Sequence, residues 1–229
     1  VLDAQGAMTT QRVRVDTPYP CPPARFLSEV DNLCTELPRS QRVSVGFPGM
    51  LREGKVLHVP SLSRLEYGGP QDPGLAARWH GYPLSDKLAE LFSVPTKVVN
   101  DADMQGCAVA KGEGFEFVMT LGTGVGTALF NEGLLLPHLE LSHGAFRKKL
   151  STDLALGNAA RKRIGKKKWR KRVVEAINWF DQMLFYDTIY IGGGNAKHLD
   201  DEALPDNAQI VPNSAGITGG VRVWELSTE

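Results

Sequence analysis

The chain has 229 residues, of which 42% are hydrophobic and 23% charged, which suits a folded protein of one large domain or two modest lobes and not a disordered one. Lysine plus arginine and aspartate plus glutamate are equal at 26 each, so overall charge points to neither nucleic acid nor a membrane surface.

Val1-Leu2-Asp3-Ala4-Gln5-Gly6 reads as a strand entering a turn, with Arg12–Val15 as its hairpin partner. From Pro23, the residues Phe26, Val30, Leu33, Cys34 and Leu37 recur at helical spacing and predict a helix packed on a sheet. Arg42–Phe47 alternates like a strand and stops at Pro48-Gly49. Residues 60–82, rich in Gly, Pro and Ser, predict a long surface loop, and Leu84–Leu91 a short helix. Lys97–Asn100 is a strand that ends at Asn100-Asp101, followed by a helix over Ala102–Lys111. Phe115–Leu121 and Val125–Phe130 are strands joined by Gly122-Thr123-Gly124. Trp169, Val173, Ile177, Phe180 and Leu184 mark a long amphipathic helix. A strand over Thr188–Ile191 runs into Gly192-Gly193-Gly194, and Asn213–Trp224 closes the chain as a small-residue helix. Strands alternate with helices, so the class is α/β.

The three cysteines, Cys21, Cys34 and Cys107, are scattered, with no C-x-C or C-x-x-C pair. They read as reduced thiols and offer neither a disulfide scaffold nor a zinc site. No apolar run approaches the roughly 18 residues of a membrane span, and no signal segment opens the chain, so the expected location is cytoplasmic.

Four segments carry residues suited to chemistry. Asp101 stands where a buried strand emerges, the place where α/β sheets bind ligands. A carboxylate there can take a hydroxyl proton, or can simply cap the next helix. Leu121-Gly122-Thr123-Gly124-Val125-Gly126 can turn backbone N–H groups toward phosphate oxygens, or can be a plain glycine-rich hairpin. Its G-x-G-x-G spacing is neither the dinucleotide fingerprint nor a Walker loop. Glu140 and His143, three residues apart, can share one face of a turn and grip sugar hydroxyls, or can be a surface Glu and a satisfied His; a metal is a weaker reading, with no second His or Cys nearby. Gly193, Gly194 and Asn195 follow a strand and can let the backbone approach a phosphate chain, or can be a plain strand-to-helix turn.

A fifth segment is distinguished by charge. Arg161–Arg172 holds nine basic residues in twelve positions with no acid among them. Such a run is either a solvated helix face or the footprint of a polyanion. No nucleic-acid fold signature accompanies it, so nucleic acid is not the expected partner.

The order of motifs is more specific than any one of them. Val45-Gly46-Phe47-Pro48-Gly49, Asn100-Asp101-Ala102-Asp103, Leu121–Gly126, Glu140-Leu141-Ser142-His143, Gly192–Lys197 and Asn213–Gly220 follow one another along the chain. This series resembles the ROK family of sugar kinases and regulators, and within it the polyphosphate glucokinase branch. The resemblance implies a hexokinase/actin-like (ribonuclease H-like) fold, two α/β lobes around a cleft. It implies a small lobe over 1–100 with 214–229 and a larger one over 101–213. Asp101 matches the catalytic base. Asn100, Glu140 and His143 match sugar-binding positions, and Gly49 is grouped with them. Gly122, Thr123 and Gly124 match a phosphate motif, and Gly193, Gly194 and Asn195 the donor-side glycine segment. Mg²⁺ with the donor and a homodimer are implied, with no zinc. Arg163, Lys166, Lys167 and Lys168 become candidates for gripping polyphosphate.

Three departures accompany the resemblance. Ser142 stands where the family has Gly, and the family's zinc-binding cysteine cluster is absent. The family also opens with a strand and an Asp-Ile-Gly-Gly-Thr loop; Val1-Leu2-Asp3 is expected to start just after them. The expected activity is phosphoryl transfer from polyphosphate or ATP to the 6-hydroxyl of glucose, with mannose as a second acceptor. The alternative is a non-catalytic sugar-sensing regulator, or a relic of a kinase.

Overall fold

The computed structural model describes residues 1–212 and 215–227. The chain divides into two compact units, Val1–Asp101 with Gly220–Glu225, and Ala102–Gly219.

The first unit opens differently from the expected hairpin. Asp3 Oδ1 accepts hydrogen bonds from the amides of Gln5 (3.0 Å) and Ala7 (2.8 Å), which folds the chain back at once. Leu2 therefore bridges to Met8, and Arg12–Val15 has no strand partner among the described residues. Helix α1 (Pro23–Cys34) starts on a proline, whose missing N–H costs nothing in the first turn. Strand β1 (Val43–Phe47) is followed by the hairpin β2 (Met50–Arg52) and β3 (Lys55–His58). Glu53 and Gly54 at its tip both have positive φ, 48° and 70°, as a type I′ turn requires.

Residues 60–82 are not the surface loop that their composition suggests. They contain helix α2 (Pro73–Trp79), and Leu62, Leu75 and Trp79 are core. Asp72 caps that helix through Leu75 N at 2.7 Å, and Pro73 occupies its first turn. Trp79 packs against Phe26, Phe47 and Tyr82 at ring distances of 5.7, 5.5 and 6.0 Å. Its Nε1 donates to the Cys21 carbonyl at 3.0 Å. Helix α3 (Leu84–Phe92) leads to β4 (Thr96–Asn100), which pairs with β1 in parallel, with Phe47 opposite Asn100.

The second unit is built on a five-stranded sheet. Helix α4 (Asp101–Val109) enters it, followed by β5 (Phe115–Leu121), β6 (Val125–Asn131) and β7 (Leu134–Leu135). The hairpin β8 (Ala145–Arg147) and β9 (Leu150–Ser151) precedes helices α5 (Thr152–Leu156), α6 (Asn158–Ile164) and α7 (Lys166–Leu184). Then come β10 (Thr188–Gly192), β11 (Ala208–Ile210) and α8 (Ala215–Leu226). The strand order is β11-β10-β5-β6-β7, with β10 parallel to β5 and β6 antiparallel to it. β5 is an almost unbroken buried run, as a strand covered on both faces should be. Trp169, Val173, Ile177 and Phe180 of α7 join Phe117, Met119 and Ile191 in one core. On the other face α4 comes close to β6 because Gly106 leaves room for the Phe130 ring, which a Cβ would meet at 2.6 Å.

The last helix returns to the first unit through Trp224. Its Nε1 donates to Ser44 Oγ at 2.8 Å, and Arg42 and Lys97 lie 5.0 and 5.5 Å from its ring. Asn213 and Ser214, part of the last motif, lie outside the described residues.

Trp79 carries both aromatic packing and a buried hydrogen bond. Trp79→Ala should cost roughly 3–5 kcal/mol of stability, read by urea denaturation. A loss below about 1 kcal/mol would contradict its central place in the first unit.

Candidate functional site

β4 delivers two adjacent residues to different surroundings. Asn100 is buried and its Nδ2 donates to the Gly49 carbonyl at 3.1 Å. That bond ties the end of β4 to the turn after β1. Gly49 cannot be larger, since a Cβ would meet the His58 carbonyl at 2.6 Å. Asp101, one residue on, is exposed and is the first residue of α4. The strand end thus offers a carboxylate to solvent beside an anchored amide side chain.

Gly122, Thr123 and Gly124 are the three-residue connection between β5 and β6, where Leu121 pairs with Val125. The hairpin reading and the phosphate-loop reading describe the same backbone. Gly122 N donates to Gly124 O at 2.9 Å, and Thr123 is exposed at the tip. The loop is braced from three sides. Asp153 Oδ1 accepts from Val125 N at 2.7 Å, and a Cβ on Gly124 would collide with that oxygen. Asn158 N donates to the carbonyls of Gly122 and Thr123 at 3.1 Å. Asn195 Nδ2 donates to Gly122 O at 2.9 Å.

The second glycine segment joins the first at this point. Gly193 has φ 84° and lies against the backbone of Leu121, where a Cβ would sit 2.5 Å from the carbonyl oxygen. Asn195 N donates to that same carbonyl at 2.9 Å. No Cβ at Gly122 or Gly194 would meet anything within 4 Å, so both face open space. The structure therefore brings Gly122–Gly124 and Gly193–Asn195 together. Asp153 and Asn158, which brace them, carry no sequence signal of their own.

Glu140 lies at the start of a 3₁₀ turn over Leu141–His143. His143 Nε2 is 3.7 Å from Glu140 Oε2, so the carboxylate and imidazole do share one face. Ser142 points inward and is buried. The segment before the turn is held to β6 by Thr127 Oγ1, which donates to Leu139 O at 2.9 Å.

Two further residues belong to this cluster. His138 is buried, with Nδ1 2.9 Å from Asp103 Oδ1 and Nε2 3.7 Å from Glu140 Oε1. Burial works against its imidazolium. The hydrogen bond to Asp103 and the nearby negative charges of Asp103 and Glu140 outweigh that penalty and raise its pKa from 6.5 to about 9. The motif spacing singles out neither residue, although Asp103 falls within Asn-Asp-Ala-Asp. They are 35 positions apart, and only the packing of α4 on the sheet brings them together.

The basic run is divided by Gly165 between α6 and α7. Three of its members serve the fold. Arg161 donates to Asn158 Oδ1 at 2.8 Å, Arg172 to Ala155 O at 3.3 Å, and Arg170 to the His198 carbonyl. Lys162, Arg163, Lys166, Lys167, Lys168 and Lys171 are exposed. Among the described residues none of these six is in an ion pair. Partial burial and then the cations of Arg161, Lys166, Lys197 and Arg170 hold the His198 pKa below its usual value.

No family model matches the chain. It is 24% identical over 228 residues to a polyphosphate glucokinase of Mycobacterium tuberculosis, covering 93% of this chain and 81% of that protein. The inorganic polyphosphate/ATP-glucomannokinase of Arthrobacter sp. strain KM superposes with a TM-score of 0.75 at 26% identity. That match covers 95% of this chain and 88% of the other. A ROK family glucokinase from Streptomyces griseus, in complex with glucose and AMPPNP, gives a TM-score of 0.69 at 15% identity and shares the fold. It covers 97% of this chain and 93% of that one. The expected fold and the expected resemblance to ROK sugar kinases, on the polyphosphate glucokinase side, are both borne out.

The raised pKa of His138 has a consequence for stability. Its protonated form is favoured in the folded state, so its contribution is fully present below about pH 6.5 and is lost as pH rises through about 9. An NMR titration should place the His138 midpoint near pH 9, and urea denaturation of His138→Gln should lack the corresponding fall between those values. A midpoint near 6.5 would show that Asp103 and Glu140 do not hold the charge.

Proposed function

We propose that this chain is a hexose kinase that transfers a phosphoryl group from polyphosphate or ATP to the 6-hydroxyl of glucose. The observation that carries the reading is the end of β4, where Asn100 is anchored on Gly49 and Asp101 is offered to solvent. Asp101 would accept the hydroxyl proton as the sugar oxygen attacks phosphorus. Asn100, Glu140 and His143 would hold sugar hydroxyls, with Gly49 fixing the Asn100 side chain. The braced loop Gly122–Gly124 would present backbone N–H groups to the phosphates, and Gly193, Gly194 and Asn195 would support the donor side.

Support for the sugar kinase reading comes from the order of the motifs and from the relatives described above. No observation favours the regulator. The names of those relatives include both donors, so the choice between polyphosphate and ATP rests on this chain's own charges. Six exposed cations on α6 and α7 favour polyphosphate, because a repeating anion engages many cations at once. We infer the two-lobed division at 1–100 with 214–229, and a homodimer, on the resemblance alone.

Mg²⁺ would accompany the donor. Among the described residues no cluster of three or more His, Cys, Asp and Glu could hold an ion. Such a cation would arrive with the donor phosphates, which Gly122–Gly124 would hold through their backbone N–H groups. When bound, it neutralises charge on the transferred group.

Asp101→Asn should lower kcat by roughly 10²–10⁴-fold while glucose affinity, measured by calorimetry, stays within about threefold. Normal turnover in that variant would sink the mechanism. Replacing Lys166, Lys167 and Lys168 together by Gln should raise the KM for polyphosphate on the order of tenfold and weaken its salt dependence. The KM for ATP should be unaffected. Equal effects on both donors would assign the lysines to something other than polyphosphate.

A further inference from the structure

We propose that Asp103 and His138 are positioning residues that fix the Glu140 carboxylate in the orientation needed to accept a sugar hydroxyl. This rests on the reading of Glu140 as a sugar-binding residue. Asp103, His138, Glu140 and His143 form a chain of alternating acid and imidazole. The links are 2.9 Å from Asp103 Oδ1 to His138 Nδ1, 3.7 Å from His138 Nε2 to Glu140 Oε1, and 3.7 Å from Glu140 Oε2 to His143 Nε2. Side-chain exposure rises along it, from 4% and 6% at Asp103 and His138 to 29% at Glu140 and 54% at His143. The chain thus begins inside the second unit and ends at its surface.

A buried His–Asp pair can exist merely to fasten a helix to a loop. Two features argue for more. Both ring nitrogens of His138 face carboxylates, so the ring links Asp103 to Glu140 instead of ending at Asp103. The two oxygens of Glu140 face different imidazoles, one buried and one exposed, each within ion-pair distance at 3.7 Å, so charge attraction from two sides favours one orientation of the carboxylate. Glutamate is a long side chain with much rotamer freedom, and that freedom must be given up when a ligand binds. Holding it in place beforehand raises affinity without any new contact to the ligand. The raised pKa of His138 agrees with a ring that is charged between two carboxylates. The titratable groups around it are Asp103, Glu140 and, beyond Glu140, His143.

The test uses the full chain with glucose as the probe. Asp103→Asn and His138→Gln should each raise the glucose Kd about tenfold by loss of preorganisation, with kcat at saturating glucose within about twofold. The melting temperature should remain above the assay temperature, and the near-isosteric Asp103→Asn tests the same chain if His138→Gln folds poorly. Glu140→Gln should also weaken glucose. In that background His138→Gln should add nothing further, because the two act in series. Unchanged glucose Kd in Asp103→Asn and His138→Gln, with Glu140→Gln impaired, overturns the positioning role and leaves the sugar site standing. Additive losses in the double variant also overturn it. Unchanged Kd in Glu140→Gln overturns the sugar-site reading, and this inference with it.

Discussion

The meeting of the two glycine segments in the second unit depends on one stretch of backbone, Leu121 and Gly122. The Leu121 carbonyl takes the Asn195 amide, and its backbone lies where a Cβ on residue 193 would have to be. The Gly122 carbonyl takes both the Asn195 side chain and the Asn158 amide. β5 can hold this point because it is the middle strand of the sheet, paired with β10 on one side and β6 on the other. A rigid central strand is a better support for a ligand loop than a loop of its own would be. The glycines are needed for approach as much as for conformation. Gly193 is required by both, and Gly124 by the carboxylate of Asp153.

The same logic recurs at the end of β4 on a smaller scale. Asn100 is buried and spends its side-chain amide on the Gly49 carbonyl, which fixes the residue that follows it. Beside Glu140 the buried groups are side chains, His138 and, bonded to it, Asp103. In each place a buried polar group with a defined partner stands directly behind a more accessible candidate residue, Asp101 or Glu140. Burial without a partner would be costly, so these positions tolerate few replacements.

The basic run shows how a single sequence feature can divide in three dimensions. Nine cations in a row along the chain become three that serve packing and six that face water. Arg161, Arg170 and Arg172, the partly buried ones, are all arginines with backbone or amide acceptors. That division suits the guanidinium, which offers several donors in a fixed plane, whereas the exposed lysines act as point charges.

The sequence by itself determined the α/β class and the longer elements of the second unit, α4, β5, β6, α7, β10 and α8, but not the short β7, β8, β9, α5, α6 and β11, and it singled out Asp101, Gly122–Gly124, Glu140, His143 and Gly193–Asn195 as candidates. Those features are local: periodicity, glycine spacing and motif order are written within a few residues. It did not determine the helix and core residues within 60–82, because the proline and glycine content of that stretch hides one capped turn ending in Trp79. The opening hairpin was misdirected for a similar reason, since a side chain of Asp3 chose Met8 as partner for Leu2. Only the tertiary structure decided that the two glycine segments meet at Leu121, that Asp153 and Asn158 brace them, and that Asp103 and His138 stand behind Glu140. Apart from His138 beside Glu140, each of these is a contact between residues tens of positions apart, fixed by how α4, α5 and α6 pack on the sheet and by the pairing of β10 with β5, and no local pattern encodes it.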